Sequence, residues 1–144
     1  MAICTLTRKD NMIEVYFDGA CNPTNPGGTA TYAFIINLDN HLLKAENGIV
    51  GKGKNMSNNV AEYFAILKAL EYMKKCEFLH KEIIVYGDSD MVIKQLSGKW
   101  KAKKGLYFPY YIQAKDIIKE FTCIGLIWIP REENTFADEL TKCL

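Results

Sequence analysis

Apolar and polar residues alternate over Met12–Asp18, the two-residue period of a β-strand with one buried face. A loop rich in glycine and proline follows at Gly19–Gly28, and two further apolar stretches, Ala30–Leu38 and His41–Val50, predict a second and a third strand. Asp39-Asn40 between those stretches is typical of a tight hairpin turn. The chain therefore begins with three antiparallel strands.

The pattern becomes helical after Ser57, whose side chain suits the N-cap of a helix. Apolar residues recur at helical spacing from Val60 to Leu70, and the helix is predicted to end near Lys75. The stretch Ile83–Tyr86 is apolar throughout, as expected of a strand buried on both faces. The remaining predicted elements are a short helix over Ser89–Leu96, a helix over Tyr110–Phe121, a strand over Ile124–Ile129, and a final helix capped by Asn134 or Thr135.

This order of elements predicts an α/β fold. Three antiparallel strands and two βα units would form a five-stranded mixed sheet flanked by helices on both faces. The length of 144 residues and the 49% of apolar residues suit one domain, so we assign residues 1–144 to a single domain. The sequence shows no bilayer-spanning run and no signal peptide, so we expect a cytoplasmic protein without membrane contact.

The five cysteines lack the paired spacing of a zinc site. We expect reduced thiols, with one disulfide still possible if the source is a hyperthermophile.

The net charge and the distribution of charge give opposite indications about binding to nucleic acid. The formal net charge is only +1, which argues weakly against a polyanionic partner. Lysines are nevertheless concentrated without any acid over residues 94–104, and most of them lie in Gly98–Gly105, the basic stretch. This stretch could bind phosphates or could simply be solvated surface. Aromatic residues in and after this stretch favour binding, because they can stack on sugars or bases, although some must belong to the core. They are Trp100, Tyr107, Phe108, Tyr110 and Tyr111.

Acidic residues lie where the predicted strands end. Asp18 ends the first strand, Asp88 follows the fourth, and Asp138 lies in the first turn of the final helix. Glu62 lies in the first turns of the first long helix. Ligand sites in open α/β sheets lie at the carboxyl ends of strands, so Asp18 and Asp88 stand side by side if their strands are adjacent and parallel.

Carboxylates gathered in this way repel one another unless a cation lies between them. Mg²⁺ or Mn²⁺ suits oxygen ligands, and two such ions about 4 Å apart form the clamp used in phosphoryl transfer.

Each acid also has a purely structural interpretation. Asp18 could open a turn, and Glu62 could complete a capping box. Asp88 could cap the helix that follows it, and Asp138 could stabilise the dipole of the final helix. Spacing alone therefore indicates a metal site without establishing it.

Four segments strengthen the metal-site interpretation, because they resemble the four motifs of type 1 ribonucleases H, in the order of that family. The segments are Tyr16–Gly28, Ser57–Tyr63, Tyr86–Leu96 and Trp128–Asp138. The longer first loop and the Trp-Ile-Pro-Arg-Glu-Glu-Asn run most resemble the archaeal branch. The resemblance implies a ribonuclease H-like fold and an endonuclease that hydrolyses the RNA strand of RNA/DNA hybrids, leaving 5′-phosphate and 3′-hydroxyl ends.

The resemblance also implies roles for particular residues. It implies that the catalytic residues Asp18, Glu62, Asp88 and Asp138 bind two Mg²⁺ or Mn²⁺ ions. Substrate contacts are expected from the first loop, from the start of the first helix and from the basic stretch, where short amide groups can sense the 2′-hydroxyl. These residues are Cys21, Asn22, Asn25, Ser57, Asn58, Asn59, Lys99, Trp100 and Lys101.

The sequence departs from the family pattern in the loop before the last aspartate. Many members carry a catalytic histidine there, whereas this chain has Arg131, and both of its histidines, His41 and His80, lie elsewhere. We expect product release or proton transfer to depend on Arg131 or on water. The long basic handle of some bacterial members and a separate hybrid-binding domain are not evident, so a monomer with weak substrate binding and little processivity is expected.

Two other functions remain open on the sequence alone. One is a junction resolvase or integrase core, which would share the carboxylates but not the 2′-hydroxyl contacts. The other is a catalytically silent hybrid-binding module. Strand specificity and a magnesium-dependent cut would separate these from a ribonuclease H.

Overall fold

A computed structural model describes residues 12–144 as five strands and four helices. The strands form one sheet in the order β3-β2-β1-β4-β5. They are β1 (Ile13–Asn22), β2 (Thr29–Leu38), β3 (His41–Lys52), β4 (Glu82–Gly87) and β5 (Cys123–Trp128). The first three strands pair antiparallel, and β1–β4 and β4–β5 pair parallel. The predicted mixed sheet is confirmed.

Helices cover both faces of the sheet. They are α1 (Asn58–Lys75), α2 (Asp90–Leu96), α3 (Phe108–Ile118) and α4 (Thr135–Thr141), with a 3-10 turn at Arg131–Glu133. Tyr32 and Phe34 of β2 pack their rings against those of Phe64 and Tyr72 in α1. Ile35, whose side chain points to the opposite face, lines a cavity there with the first residues of α4. None of the helices within residues 12–144 is long and apolar enough to cross a bilayer.

The main core lies between the sheet and helices α1, α2 and α3. The alternating apolar residues of β1, Ile13, Val15 and Phe17, are each at most 1% exposed there, as the two-residue period predicts. Ser57 caps α1 by accepting a hydrogen bond from the Val60 amide, also as predicted. This packing fixes α1 against β1.

Several predicted boundaries are wrong. β1 does not end at Asp18, because residues 19–22 continue the antiparallel ladder with β2, up to the pair Asn22 and Thr29. Helix α3 begins at Phe108 rather than Tyr110, since Pro109 fits the first turn of a helix, and it ends at Ile118.

The described cysteines are reduced thiols as expected, except for one disulfide-bonded residue, a possibility that the sequence left open. Cys21, Cys76 and Cys143 are free thiols, whereas Cys123 is disulfide-bonded.

Candidate functional site

The parallel pairing of β1 with β4 brings two aspartates together. Phe17 lies opposite Gly87 in this register, so the next residues along the two strands are Asp18 and Asp88. A Cβ atom on Gly87 would lie 2.3 Å from the Phe17 ring, so only glycine lets that ring pack there. Asp18 within β1 and Asp88 just after β4 thus lie side by side where the parallel pairing of the two strands ends, and the predicted pairing of these carboxylates is confirmed.

Glycine also sets the position of the third carboxylate. A Cβ atom on Gly19 would lie 2.4 Å from the backbone carbon of Ala61 and 2.4 Å from the backbone nitrogen of Glu62. Helix α1 therefore packs directly on the backbone of β1 at this point, which places Glu62 beside the strand that carries Asp18.

The three carboxylates form one compact cluster. Asp18, Glu62 and Asp88 each offer an oxygen, and these oxygens all lie within 4.8 Å of one another. The Oδ2 atom of Asp88 is buried and accepts no hydrogen bond within the part of the chain that the structure describes. An all-oxygen donor set with such an atom fits a hard divalent cation such as Mg²⁺ or Mn²⁺.

Burial and mutual repulsion make these groups hard to ionise. Burial, followed by the charge of Asp88, raises the pKa of Asp18 to about 7. Burial and the charges of Asp18 and Asp88 raise the pKa of Glu62 to about 8. Burial also raises the pKa of Asp88, against the opposing effect of Arg131. A bound cation would relieve this repulsion and favour the ionised carboxylates.

The structure does not match the purely structural interpretations of these three acids as a turn residue, a capping-box residue and a helix cap. Asp18 lies within β1 and opens no turn. Helix α1 starts from Ser57, and α2 starts from Ser89, whose hydroxyl accepts from the Val92 amide. Because Ser57 caps α1, the capping-box position is Val60 rather than Glu62, and Asp88 does not cap α2.

Asp138 lies beside this cluster. Its charge raises the pKa of both Asp18 and Asp88, so it is close to them, but it is not in the compact group of three. Its Oδ2 atom lies 3.3 Å from the Nζ atom of Lys142, the residue that follows α4. The structure thus places Asp138 at the edge of the cluster.

Arg131 is the cation nearest to Asp88 among the ion pairs of the described residues. Its Nε atom lies 3.9 Å from Asp88 Oδ2, and its side chain is 76% exposed. His80, by contrast, precedes β4, and His41 starts β3 opposite Leu38. The β-ladders place both histidines at the end of the sheet away from Asp18 and Asp88, so neither replaces the family histidine.

Asn134 contributes to the site in a way that sequence reasoning missed. It was predicted only as a helix cap, yet its side chain makes no capping bond. Its Nδ2 atom donates to the Phe17 carbonyl at 2.9 Å, and the residue is 1% exposed. The amide also favours the ionised form of Asp88, whose pKa it lowers. Its place after the final strand offered a signal, because polar residues there face the sheet end.

The residues of the first loop that are expected to contact substrate lie next to the start of α1. Asn25 Oδ1 accepts from the Asn58 amide at 2.9 Å, which joins the loop to the helix. Asn22 ends β1 and is exposed. The Cys21 side chain is buried, and its thiol donates to the Thr24 carbonyl, so the expected contact of Cys21 could involve only its backbone.

The basic stretch lines a cleft of about 540 Å³ beside α2. The cleft is bordered by Lys99, Trp100, Lys101 and Tyr107 among others. The Nζ atom of Lys94 lies 4.6 Å from the centre of the Trp100 ring, a cation–π contact that holds this exposed indole. A phosphate or sugar could approach both lysines and the indole from this cleft.

Fold and site together define a class: α/β proteins of the ribonuclease H-like fold with carboxylates at the centre of a mixed sheet. Residues 16–143 match the family model described as reverse transcriptase-like. The chain belongs to this family and, within it, to the type 1 ribonucleases H.

Relatives come from bacteria and archaea. The bifunctional protein Rv2228c of Mycobacterium tuberculosis is 32% identical over 82% of this chain and 31% of its own length. Ribonuclease HI of Halobacterium salinarum is 30% identical over 90% of this chain and 62% of its own length. The chain thus spans about a third to two thirds of these curated relatives. The Halobacterium relative agrees with the resemblance to the archaeal branch.

Two solved structures resemble this one closely. RNase H1 from Halobacterium salinarum superposes with a TM-score of 0.79 at 28% identity, covering 91% of this chain and 95% of that one. LC11-RNase H1, solved in complex with an RNA/DNA hybrid, has a TM-score of 0.81 at 28% identity, with 90% and 94% covered.

Proposed function

We propose that this protein is a metal-dependent endonuclease that hydrolyses the RNA strand of RNA/DNA hybrids and leaves 5′-phosphate and 3′-hydroxyl ends. The observation that carries the proposal is the convergence of Asp18, Glu62 and Asp88 within 4.8 Å where the parallel pairing of β1 with β4 ends. Type 1 ribonucleases H supply the reaction class, and LC11-RNase H1 in its hybrid complex supplies the substrate class.

The acidic residues are proposed to hold two Mg²⁺ or Mn²⁺ ions, with Asp138 joining Asp18, Glu62 and Asp88. When bound, such ions activate water and stabilise the leaving oxygen in phosphodiester hydrolysis. In the balanced reaction, a water oxygen bonds to phosphorus, the bond to the 3′-oxygen breaks, and that oxygen takes a proton. The role of the chain is to fix the carboxylates so that little reorganisation is needed.

Arg131 is proposed to attract the cleaved phosphate as it leaves. Its exposed guanidinium lies beside Asp88, so it can contact solvent and the site at once. It cannot act as a general base near neutral pH, because it stays protonated. It is a fixed positive donor that suits phosphate oxygens.

Substrate is proposed to lie across the start of α1 and the basic stretch. Asn22, Asn25 and Asn58 offer short polar groups there, as do Ser57, Asn59 and the backbone of Cys21, suited to the 2′-hydroxyl and the phosphates. Lys99, Trp100 and Lys101 offer charge and a stacking surface. We further propose that residues 1–144 act as one catalytic domain, as a monomer, in the cytoplasm; light scattering and cell fractionation would test the last two points.

The proposal is tested on a panel of substrates of one sequence: RNA/DNA hybrid, double-stranded RNA, double-stranded DNA and a four-way DNA junction. A ribonuclease H cuts the RNA strand of the hybrid. Cutting of the DNA junction would favour a resolvase instead. Tight hybrid binding without any cut in Mg²⁺ or Mn²⁺ would favour a silent binding module.

A further inference from the structure

The basic stretch is connected to the core by a buried polar network centred on Gln95. Gln95 lies on α2, is 4% exposed, and is one of few buried polar residues in the described chain. Its Oε1 atom accepts from the Tyr63 hydroxyl at 2.6 Å. Its Nε2 atom donates to the Tyr107 hydroxyl at 3.1 Å and to the Lys101 carbonyl at 3.4 Å. One amide thus joins α1, α2 and the basic stretch.

Tyr107 extends the network to a second point of the basic stretch. Its hydroxyl oxygen accepts from the Lys103 amide at 3.0 Å as well as from Gln95. Its ring stacks on that of Tyr63, with centroids 5.3 Å apart and planes 10° apart. Lys101 and Lys103 belong to an irregular segment, so these bonds fix a backbone that no helix or strand holds.

The other end of the network lies next to the acidic cluster. Tyr63 follows Glu62 directly on α1, and it is fully buried. A buried, hydrogen-bonded network specifies one geometry, because each unpaired polar group would cost free energy. Gln95 and Tyr107 therefore hold the backbone at Lys101 and Lys103 against α1, the helix that carries Glu62.

We propose that Gln95 and Tyr107 are positioning residues that hold the lysines of the basic stretch where they meet the phosphates of a bound hybrid. This inference rests on the proposed function, since it concerns how the same substrate is held. Both residues line the cleft beside α2, but their proposed role is to hold the backbone of the basic stretch rather than to bind the substrate. They act through Lys99, Lys101, Lys103 and Lys104.

The central test replaces Tyr107 with phenylalanine, which keeps the stacked ring and removes the oxygen that binds Gln95 and Lys103. We expect Tyr107→Phe to raise KM for the hybrid about fivefold, the effect of losing one modest interaction. kcat should stay within about twofold, because the carboxylates are not touched. The dependence of KM on salt should become shallower, because displaced lysines release fewer counterions.

The matched control is Tyr32→Phe. It removes a hydroxyl that donates to Glu46 at 2.7 Å on β2 and β3, with no connection to the basic stretch. It should lose stability in thermal unfolding without any change in salt dependence. Gln95→Met keeps the volume of the side chain and should reproduce the effect of Tyr107→Phe. The same result from two independent variants would not be explained by misfolding of one of them.

A double-mutant cycle decides whether the network acts through the lysines. In a background with Lys99, Lys101, Lys103 and Lys104 replaced by alanine, Tyr107→Phe should raise KM no further. The inference is overturned if Tyr107→Phe leaves KM and salt dependence unchanged, or if its effect persists in full without the lysines. Fluorescence anisotropy of hybrid binding in EDTA gives the same comparison without cleavage, so failure of this inference is distinguishable from absence of nuclease activity.

Discussion

Asp18 is 3% exposed and lies beside two other carboxylates, so its negative charge is unfavourable when no cation is bound. We expect Asp18→Asn to lower cleavage by at least about a hundredfold, the scale of losing a group that stabilises transition-state charge. The metal-free variant should unfold at the same or a higher temperature than wild type, since one repelling charge is gone. Asp116→Asn, at an exposed carboxylate on α3, is the matched control and should change neither. Near wild-type turnover of Asp18→Asn would remove Asp18 from the site.

Substitution of Arg131 tests whether a cation beside the carboxylates contributes to turnover. Because its guanidinium lies 3.9 Å from Asp88, we expect Arg131→Ala to lower kcat about tenfold with a small change in KM, and Arg131→Lys to recover part of the loss. The alternative is a surface pairing of Arg131 with neighbouring glutamates, worth at most about 1 kcal/mol of stability. Steady-state kinetics on a short hybrid separates the two, since an unchanged kcat would leave only the pairing.

Among the elements, the contact of α1 with β1 is the one on which the site depends most directly. Gly19→Ala would place a methyl group 2.4 Å from the backbone of Ala61 and Glu62, so the helix must move away from the strand. We expect a loss of about 1–3 kcal/mol in unfolding free energy and a large fall in cleavage. Gly125→Ala on β5, where nothing lies within 4 Å, is the control. Chemical denaturation should show wild-type stability for the control, and equal stability of both variants would refute this account of the packing.

The lysines of the basic stretch are expected to contribute to binding of the hybrid. Replacing Lys99, Lys101, Lys103 and Lys104 with alanine should weaken hybrid binding without changing which strand is cut. For every phosphate that a lysine no longer neutralises, the salt dependence of binding should flatten by about one counterion. Binding isotherms at several salt concentrations check this, and an unchanged slope would make these lysines ordinary solvated surface.

The elements could largely be predicted from the sequence, because alternation in β1 and helical spacing in α1 directly encode burial. The end of β1 could not, since Gly19 suggests a turn where it actually permits close packing with α1. Asp18 and Asp88 were predictable as neighbours because strand ends meet in such sheets. Glu62 lies on a helix, and only the resemblance to the ribonuclease H motifs grouped it with them. The hydrogen bonds of Asn134 and Gln95 join residues far apart in the chain, and no local pattern reveals them.

At the scale of the whole molecule, the acidic cluster links pH and metal to stability. Asp18 and Glu62 have pKa values of about 7 and about 8 in the folded chain, above the ordinary 3.8 and 4.5. At any pH between the ordinary and the raised pKa values, the folded state therefore binds more protons than the unfolded state. The free energy of unfolding falls as the pH rises through this range. Without metal, we expect the Tm to fall from about pH 5 to about pH 8, and less steeply for Asp18→Asn. Calorimetry in EDTA checks this, and a Tm that rises over this range would contradict it.

A divalent metal ion should reverse the loss of stability at high pH. Divalent ions bind the folded cluster and not the unfolded chain, so Mg²⁺ or Mn²⁺ should raise the Tm at pH 8. The same addition should do little for a variant that carries both Asp18→Asn and Asp88→Asn. Equal shifts in the two proteins would show that the stabilising ions bind elsewhere.

The proposed function is tested by cleavage of an RNA/DNA hybrid labelled on each strand in turn, with Mg²⁺ and with EDTA. We expect the RNA strand to be cut internally in Mg²⁺ to products with 5′-phosphate and 3′-hydroxyl ends. We expect an intact DNA strand, no cutting in EDTA, and no cutting by Asp88→Asn. An RNA strand that stays intact in both Mg²⁺ and Mn²⁺, or one that is cut equally well by Asp88→Asn, would show that the acidic cluster is not the active site of a ribonuclease H.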